Sequence, residues 1–220
     1  MKKITGVILS AGSSSRMGVP KAILRYGDHS FLTSVIDKID SSTSSIHVVL
    51  GYKSSEIKRI TIDKLNSLIS EGKVKKDILD KVIFSRNEDY EKGMLTSLKL
   101  GIQYSLGSDW MLYHFVDQPG IPRYFYKDIL DELDDRYDWI QPVYQSMKGH
   151  PIYLHRRIFE KVLNIRENGK LSDLKEDKTI KTKYWDSPAP EILQDYDTPL
   201  DLADAKIKLN IIGDTYDEYS

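Results

Sequence analysis

The chain has 220 residues, of which 40% are hydrophobic and 30% charged, and its formal net charge is −1. This balance suits an ordinary globular domain with a sizeable core, and it lacks the overall basic charge expected of a nucleic-acid-binding protein. The sequence contains no cysteine, which excludes disulfides, zinc–thiolate sites and thiol nucleophiles. No apolar run approaches the ~20 residues of a membrane span, so we expect a cytoplasmic protein with neither nucleic acid nor membrane as a partner.

The predicted elements alternate between strands and helices along most of the chain. Strands are expected where short runs of β-branched and aromatic residues stand between turn signals, and helices where apolar residues recur every three or four positions. The expected strands are 3–9, 46–50, 82–85, 110–116, 139–144 and 180–185, and the expected helices are 31–40, 54–70, 93–106 and 122–134. Such alternation predicts a single-domain, three-layer α/β/α fold with a mostly parallel, Rossmann-like sheet.

The domain boundaries follow from composition. Neither an internal repeat nor a Pro/Gly-rich linker divides the chain, so we expect one domain over residues 1–210 and an acidic, flexible tail at 211–220. The polar segment 71–81 is expected to be a surface excursion. Residues 140–190 break the regular alternation, and in α/β proteins such a region often forms the substrate side of a site.

The stretch LSAGSSSRMGVPKAIL, at 9–24, directly follows the first predicted strand. A glycine-rich turn between a strand and a helix directs backbone N–H groups into one concavity, where they bind phosphate oxygens. Arg16 adds a planar fork of donors and Lys21 a compact charge. The P-loop spacing is not met, because Gly12 and Gly18 are six residues apart, and the dinucleotide fingerprint is absent. The loop therefore predicts a polyphosphate site of another kind, the alternative being an ordinary loop with solvated cations.

Carboxylates follow two of the apolar runs. Asp117 ends the run at 110–116, and Asp195 and Asp197 stand in ILQDYDTPLDL. Open α/β sheets bind ligands at the carboxyl ends of their strands, and a carboxylate there suits Mg²⁺ held by one or two carboxylates together with substrate phosphates. The alternative for each is the capping of a following helix, which begins near Pro122 in the first case and would be capped by Asp197 and Thr198 in the second.

Two further stretches could contact a substrate. In GMLTSLKLGI, Thr96 and Ser97 stand in the first turn of the predicted helix 93–106, where free N–H groups could meet a base, sugar or phosphate. A plain amphipathic core helix explains the same pattern equally well. His150 in KGHPIYLHRRIF could touch a substrate, although a lone histidine is more often a turn or core residue. The five histidines form no metal-like set.

Taken in order, these stretches resemble the MobA-like nucleotidyltransferases, in particular their molybdenum cofactor cytidylyltransferase branch. The resemblance is carried by LSAGSSSRMGVPKAIL, GMLTSLKLGI, VDQPGIP, KGHPIYLHRRIF and DYDTPLDL, which span nearly the whole chain. It implies a nucleotide-diphospho-sugar-transferase-like fold. It also implies an Mg²⁺-dependent enzyme that moves a nucleoside monophosphate from an NTP to a phosphorylated acceptor such as molybdopterin and releases pyrophosphate.

The resemblance also implies roles for individual residues. Arg16, Lys21 and Asp117 would be catalytic; Asp117 and Asp197 would hold the metal, with Asp195 as the alternative second ligand; and His150 would contact the acceptor. The nucleotide would be bound by Leu9, Ala11, Gly12, Ser13, Arg16, Met17, Gly18, Lys21 and Ser97. The S-A-G sequence is similar to the A-A-G form of cytidylyl- and uridylyl-transferring relatives, which favours CTP over GTP as the donor.

Two departures from the family pattern leave alternatives open. Val116 stands where the family usually has Gly before the metal-binding Asp, and ENGKLSDL at 167–174 replaces a G-D-x-G-A-R-like stretch near the expected acceptor contacts. The acceptor could instead be a sugar phosphate or another small molecule, or the chain could bind a nucleotide or cofactor without catalysis. A phosphate monoester acceptor has a second pKa of about 6, so transfer to it needs no general base.

Overall fold

The computed structural model describes residues 2–205 and 210–212. Its strands are β1 Ile4–Ser10, β2 Arg25–Tyr26, β3 His29–Ser30, β4 Ser45–Leu50, β5 Val82–Arg86, β6 Trp110–Phe115, β7 Trp139–Tyr144, β8 Met147–Lys148, β9 Ile152–His155 and β10 Thr182–Asp186. Its helices are α1 Phe31–Ile39, α2 Ser54–Ser70, α3 Ile78–Lys81, α4 Met94–Ser105, α5 Arg123–Asp128, α6 Phe159–Leu163 and α7 Pro199–Asp204. No helix in these ranges is long and apolar enough to span a bilayer.

Eight strands form one mixed sheet in the order β5-β4-β1-β6-β9-β7-β10, with β8 paired to β7. All neighbours on the main path are parallel except β9, which runs antiparallel to both β6 and β7. The short strands β2 and β3 form a separate hairpin. The mostly parallel sheet predicted from the alternating pattern is therefore confirmed, and each of the six predicted strands corresponds to one of its members.

The central strand β1 shows why its sequence reads as an unbroken apolar run. All seven of its residues are buried, as expected for a parallel strand covered by helices on both faces. Alternate side chains point to opposite faces: Ile8 belongs to one hydrophobic cluster with α1, and Val7 belongs to the other with α4. Two apolar layers on a single sheet give the three-layer α/β/α architecture.

The chain reverses its direction of travel across the sheet at β1. From β1 it passes to β4 and β5 on one side, and then returns through α4 to β6 on the other side. The loops that leave the carboxyl ends of β1 and β6 therefore diverge and open a crevice between them, which is where open α/β sheets bind ligands. Helix α4 lies unusually close to β1, because a Cβ atom at Gly101 would be 2.4 Å from Val7 Cγ1.

Several elements differ from the sequence-based expectation. Strand β9 was not predicted, because its four residues are too few to show a period. The predicted helix 122–134 is shorter: α5 ends at Asp128 and continues as a 3₁₀ turn over Ile129–Glu132. The segment 71–81 is no simple excursion, since Val74 and Ile78 are buried in the core and Ile78 begins α3.

The first two residues of the predicted tail, Ile211 and Ile212, contact the rest of the domain. Ile211 pairs with Leu24, the N–H of Ile212 donates to the carbonyl of Ile23 at 2.9 Å, and both isoleucines pack on the core. These contacts extend two residues past the predicted domain boundary, which stays a prediction. Residues 213–220, on which the rest of that prediction falls, lie outside the described residues.

Candidate active site

The glycine- and serine-rich loop after β1 is folded on itself by its own backbone. The N–H of Met17 donates to the carbonyl of Ser14 at 2.9 Å, and the N–H of Gly18 donates to that of Ser15 at 3.4 Å. Ser14 and Gly18 both have positive φ angles, of 52° and 73°. At Gly18 this conformation costs no strain, because glycine has no Cβ atom. The Ser14 hydroxyl accepts from the N–H of Lys21 at 3.2 Å, which fixes the point at which the lysine leaves the loop.

This loop is one wall of a cavity of about 360 Å³ at the carboxyl ends of β1 and β6. Of the predicted nucleotide-binding residues, the cavity is lined by Leu9, Ala11, Gly12, Ser13, Arg16, Lys21 and Ser97. The other two do not line it: Met17 is buried in the hydrophobic core, and Gly18 supplies the turn behind the loop. Asp117 and Asp197 line the same cavity.

The predicted cations and carboxylates form one chain of ion pairs. Lys21 Nζ lies 2.9 Å from Asp117 Oδ2 and also bonds Asp197 Oδ1, while Arg16 Nη2 lies 2.9 Å from Asp197 Oδ2. The outer end of this ion-pair series is the more exposed: the Arg16 side chain is 67% exposed to solvent and that of Lys21 11%. The hydrogen bond from Lys21 holds the pKa of Asp197 below its usual value.

The two carboxylates are not used to cap helices, which was the alternative reading of each. Helix α5 begins after Pro122 and is not capped by Asp117, whose carboxylate faces Lys21. At α7, Thr198 is the N-cap and forms a capping box with Asp201. The backbone N–H of Tyr196 donates to the carbonyl of Asp117 at 3.1 Å, which holds the two acidic segments side by side.

Asp195 faces a different space from Asp197. It lines a second cavity, of about 730 Å³, whereas Asp197 lines the first. Burial, with a smaller contribution from the charges of Asp117 and Asp197, raises the pKa of Asp195 to about 6. The pattern D-Y-D predicted two candidate ligands, and the structure directs one of them to each cavity.

The second cavity is lined by both aromatic and cationic side chains. Lys175 Nζ donates to Gln141 Oε1 at 2.8 Å and lies 4.7 Å from the ring centroid of Trp139. Lys148 lines the same cavity, and burial together with the charge of Lys148 lowers the pKa of Lys175. The cavity shares Met94 and Phe115 with the first one, so the two form adjoining chambers.

A family model described as the MobA-like NTP transferase domain matches residues 6–182. The chain belongs to this family. It is accordingly a nucleotidyltransferase, an enzyme of a family that uses an NTP and a phosphorylated acceptor.

The sequence identity of this chain to individual proteins is low. A Bacillus cytotoxicus protein described as a probable molybdenum cofactor guanylyltransferase is 24% identical over 174 residues, which are 78% of each chain. The solved structure of Rv0371c from Mycobacterium tuberculosis H37Rv has a TM-score of 0.69 at 21% identity, covering 92% of this chain and 96% of that one. The same protein has been solved as a complex with manganese, with a TM-score of 0.65 at 19% identity, over 92% of this chain and 97% of that one. The inositol-1-phosphate CTP transferase of T. maritima has a TM-score of 0.67 at 13% identity, over 95% of each chain.

These neighbours confirm the nucleotide-diphospho-sugar-transferase-like fold. The MobA-like enzyme described here offers one group suited to a divalent metal. Asp117 Oδ1 is buried and accepts no hydrogen bond from the described residues, although a buried carboxylate oxygen normally has a partner. Among residues 2–205 and 210–212, no three His, Asp or Glu side chains converge as a metal site. The two carboxylates of Asp117 and Asp197 fit an Mg²⁺ ion that is bound by one or two carboxylates and completed by phosphate oxygens.

His150, the predicted acceptor contact of this transferase, lines the second cavity. Its ring centroid lies 4.8 Å from that of Phe115 in an edge-to-face arrangement. Burial, assisted by the positive charge of Lys175, lowers the pKa of His150 to about 4. The imidazole is therefore neutral near pH 7, which suits a hydrogen-bonding or packing role.

Sequence reasoning missed three polar groups in or beside the two cavities. Asn87 is buried after β5, and its Nδ2 donates to the hydroxyls of Thr96 and Ser97, each at 2.8 Å. A polar residue at the end of a predicted strand, in RNEDYEKG, was the available signal for it. Lys148 and Lys175 gave none, because isolated lysines in a polar stretch normally face water.

Proposed function

We propose that this enzyme transfers cytidine monophosphate from CTP to the phosphate of molybdopterin, releases pyrophosphate, and uses Mg²⁺. The observation that carries the proposal is the junction of the two cavities. Lys21, Asp117 and Asp197 border the first cavity, Asp195 borders the second, and both cavities share the wall formed by Met94 and Phe115. A donor in one cavity and an acceptor in the other would meet at this junction.

The first cavity has the chemistry expected for a triphosphate. The loop from Gly12 to Arg16 lines it and offers backbone N–H groups, which bind phosphate oxygens where several point into one concavity. Arg16 and Lys21 add two positive charges to the lining of the same cavity. Because these donors are held in place before the substrate arrives, they can stabilise charge that develops during transfer.

The second cavity has the chemistry expected for a phosphorylated, partly planar acceptor. Lys148 and Lys175 supply positive charge for a phosphate, and Trp139, Tyr113 and Phe115 supply flat apolar surface. The names of the curated relatives, which are described as molybdenum cofactor guanylyltransferases, support a pterin of this kind as the acceptor. At a volume of about 730 Å³ the cavity has the size of an ordinary ligand pocket.

Transfer forms one bond and breaks one. An oxygen of the acceptor phosphate attacks the α-phosphorus of the nucleotide, and the bond from that phosphorus to the bridging oxygen of pyrophosphate breaks. The acceptor is already a dianion at neutral pH, so no residue has to remove a proton. When bound, Mg²⁺ would neutralise charge on the phosphate oxygens; Asp117 and Asp197 would hold it, while Arg16 and Lys21 orient the triphosphate.

Two observations bear on the base of the donor nucleotide, and they favour different bases. The S-A-G sequence of the loop, at Ser10–Gly12, favours CTP. The names of the curated relatives favour GTP, so GTP is the second candidate donor. The experiment that tests the function also decides between them.

The test measures pyrophosphate release from CTP, GTP, UTP and ATP in turn, with Mg²⁺, with and without molybdopterin. Release that requires both CTP and molybdopterin is the expected result. Release with GTP in place of CTP would overturn the assigned base and leave the reaction standing. Release that requires a sugar phosphate, and none with molybdopterin, would overturn the assigned acceptor. NTP binding without release in any mixture would contradict the proposed transfer.

A further inference from the structure

The position between the two metal-binding carboxylates is taken by a lysine. Lys21 Nζ bonds Asp117 Oδ2 at 2.9 Å and also bonds Asp197 Oδ1. The lysine side chain is 11% exposed and that of Asp117 22%, so this pair is poorly screened by water. The ammonium group of Lys21 therefore neutralises charge on both carboxylates.

A divalent ion and this ammonium group cannot share the position. Mg²⁺ binds carboxylate oxygens at 2.0–2.1 Å and demands a regular arrangement of six ligands, and here the lysine occupies one oxygen of each carboxylate. Like charges a few ångströms apart in a half-buried site repel strongly. Arg16, bonded to the second oxygen of Asp197, leaves that carboxylate with both of its oxygens engaged.

The lysine has another partner within the same cavity once a nucleotide is bound. Lys21, Gly12 and Ser13 all line the first cavity, and the backbone of Lys21 is held by its bond to Ser14 and by the 3₁₀ turn at Lys21–Ile23. Rotation about the side-chain bonds can redirect the ammonium group while the backbone stays in place. A triphosphate carries enough negative charge to take the lysine from the carboxylates.

We propose that Lys21 holds the place of the divalent cation in the nucleotide-free enzyme and vacates it only when a triphosphate provides a new partner. This inference rests on the proposed function, because it takes Asp117 and Asp197 as metal ligands and the loop as the triphosphate site. Metal and nucleotide then bind with positive coupling, and the metal alone binds weakly. Asp117 Oδ1, buried and without a hydrogen-bond partner among the described residues, is the point at which the incoming cation first finds a ligand.

The test uses Mn²⁺ as a paramagnetic probe, with free Mn²⁺ measured by electron paramagnetic resonance and no acceptor present. The variants are Lys21→Met and, in case it folds poorly, Lys21→Gln. The matched control is Lys99→Met, which removes the same charge from a lysine that bonds the carbonyl of Ile165 and lines neither cavity. Circular dichroism establishes that each variant is folded.

Without nucleotide, Lys21→Met is expected to bind Mn²⁺ about tenfold more tightly than wild type, a typical size for coupling between two ligands. Lys99→Met is expected to match wild type, and adding Asp117→Asn to Lys21→Met is expected to abolish the gain. Equal or weaker Mn²⁺ binding by both Lys21 variants would overturn the inference, since the lysine would then support the metal site. This readout requires no turnover, so its failure is distinguishable from a failure of the transfer reaction, which the pyrophosphate assay reports separately.

Discussion

At the scale of the residue, charge in the site is balanced by contacts between distant parts of the chain. Lys21 comes from the loop after β1, Asp117 from the end of β6 and Asp197 from the segment before α7, and they meet through direct ion pairs. Removing one partner from a half-buried group of this kind leaves the others uncompensated. The effect of each substitution therefore depends on whether its partner remains charged.

Replacing Asp117 by Asn is expected to lower kcat/KM for nucleotide transfer by about 10²–10³-fold, the usual loss when one preorganised electrostatic group is removed. The amide keeps the size of the side chain but no longer offers a charged oxygen to a cation or to Lys21. Initial rates of pyrophosphate release measure the effect. Asp177→Asn is the matched control, because Asp177 also pairs with a lysine, Lys161, but lines neither cavity; normal turnover by Asp117→Asn would contradict the assigned role.

Asn87 lines neither cavity but holds a side chain that does. Its amide holds the hydroxyls of Thr96 and Ser97, and Ser97 lines the first cavity. Asn87→Ala removes both of these hydrogen bonds and the one that Asn87 Oδ1 accepts from the N–H of Asp89, so the two hydroxyls lose their fixed positions. We expect the KM for the NTP to rise roughly tenfold, equivalent to about 1.4 kcal/mol, with little change in kcat. Steady-state kinetics with Asn164→Ala, at an exposed position, provide the comparison. A loss confined to kcat would point to a different role for Asn87.

At the scale of the element, the position of α4 is set by its contact with β1. Helix α4 begins beside the first cavity with Met94 and carries Ser97 in its first turns. The close approach of α4 to the sheet depends on Gly101, because a Cβ atom at that position would overlap the side chain of Val7. Packing in the core therefore fixes where the amino end of the helix stands relative to the first cavity.

Gly101→Ala is expected to destabilise the protein by about 1–3 kcal/mol, the usual cost of overpacking a core, even though alanine favours a helix by about 1 kcal/mol over glycine. Urea unfolding measures the change. Gly107→Ala is the control, since a Cβ there would meet only Lys3 Nζ at 3.8 Å. In the double variant Gly101→Ala/Val7→Ala the costs should be less than additive; strict additivity would show that Val7 is not the obstacle.

The elements also show what the sequence could and could not reveal. Strands buried on both faces, such as β1, read as continuous apolar runs and were predicted within one or two residues. Strand β9 escaped prediction because four residues carry no period and because its place, antiparallel between β6 and β7, depends on pairing across the sheet. The same limit applies to the site: Lys21 and Asp117 were predicted as separate features, but their contact joins residues 96 positions apart.

At the scale of the whole molecule, two buried histidines link stability to pH. His114 Nδ1 donates to the carbonyl of Phe115 at 2.7 Å, and Nε2 then accepts from the hydroxyl of Tyr126 at 2.6 Å. Burial lowers the pKa of His114 to about 3 and that of His47 to about 4. Both side chains are almost completely inaccessible to solvent, so the folded protein keeps them neutral where the unfolded chain would protonate them.

The free energy of unfolding is therefore expected to fall as the pH decreases below about 6.5, where the unfolded histidines begin to bind protons. Above that pH the two histidines cost no stability. Below it, each lowers the free energy of unfolding by about 1.4 kcal/mol per pH unit until the pKa of the histidine in the folded protein is reached. Urea titrations at pH 7, 6 and 5 measure the slope. His47→Phe keeps a ring against Tyr104 and should reduce the slope by roughly one proton; an unchanged slope would show that His47 does not contribute.

The reversed strand β9 has a consequence for how substrate range can change. Because it runs against β6 and β7, its amino end lies at their carboxyl ends, and the segment just before it brings Lys148 and His150 to the second cavity. The contacts proposed for the nucleotide, in contrast, come from the loops after β1 and β6 and from α4. Insertions or replacements in the short hairpin between β7 and β9 can thus recruit a new acceptor while donor recognition is inherited intact.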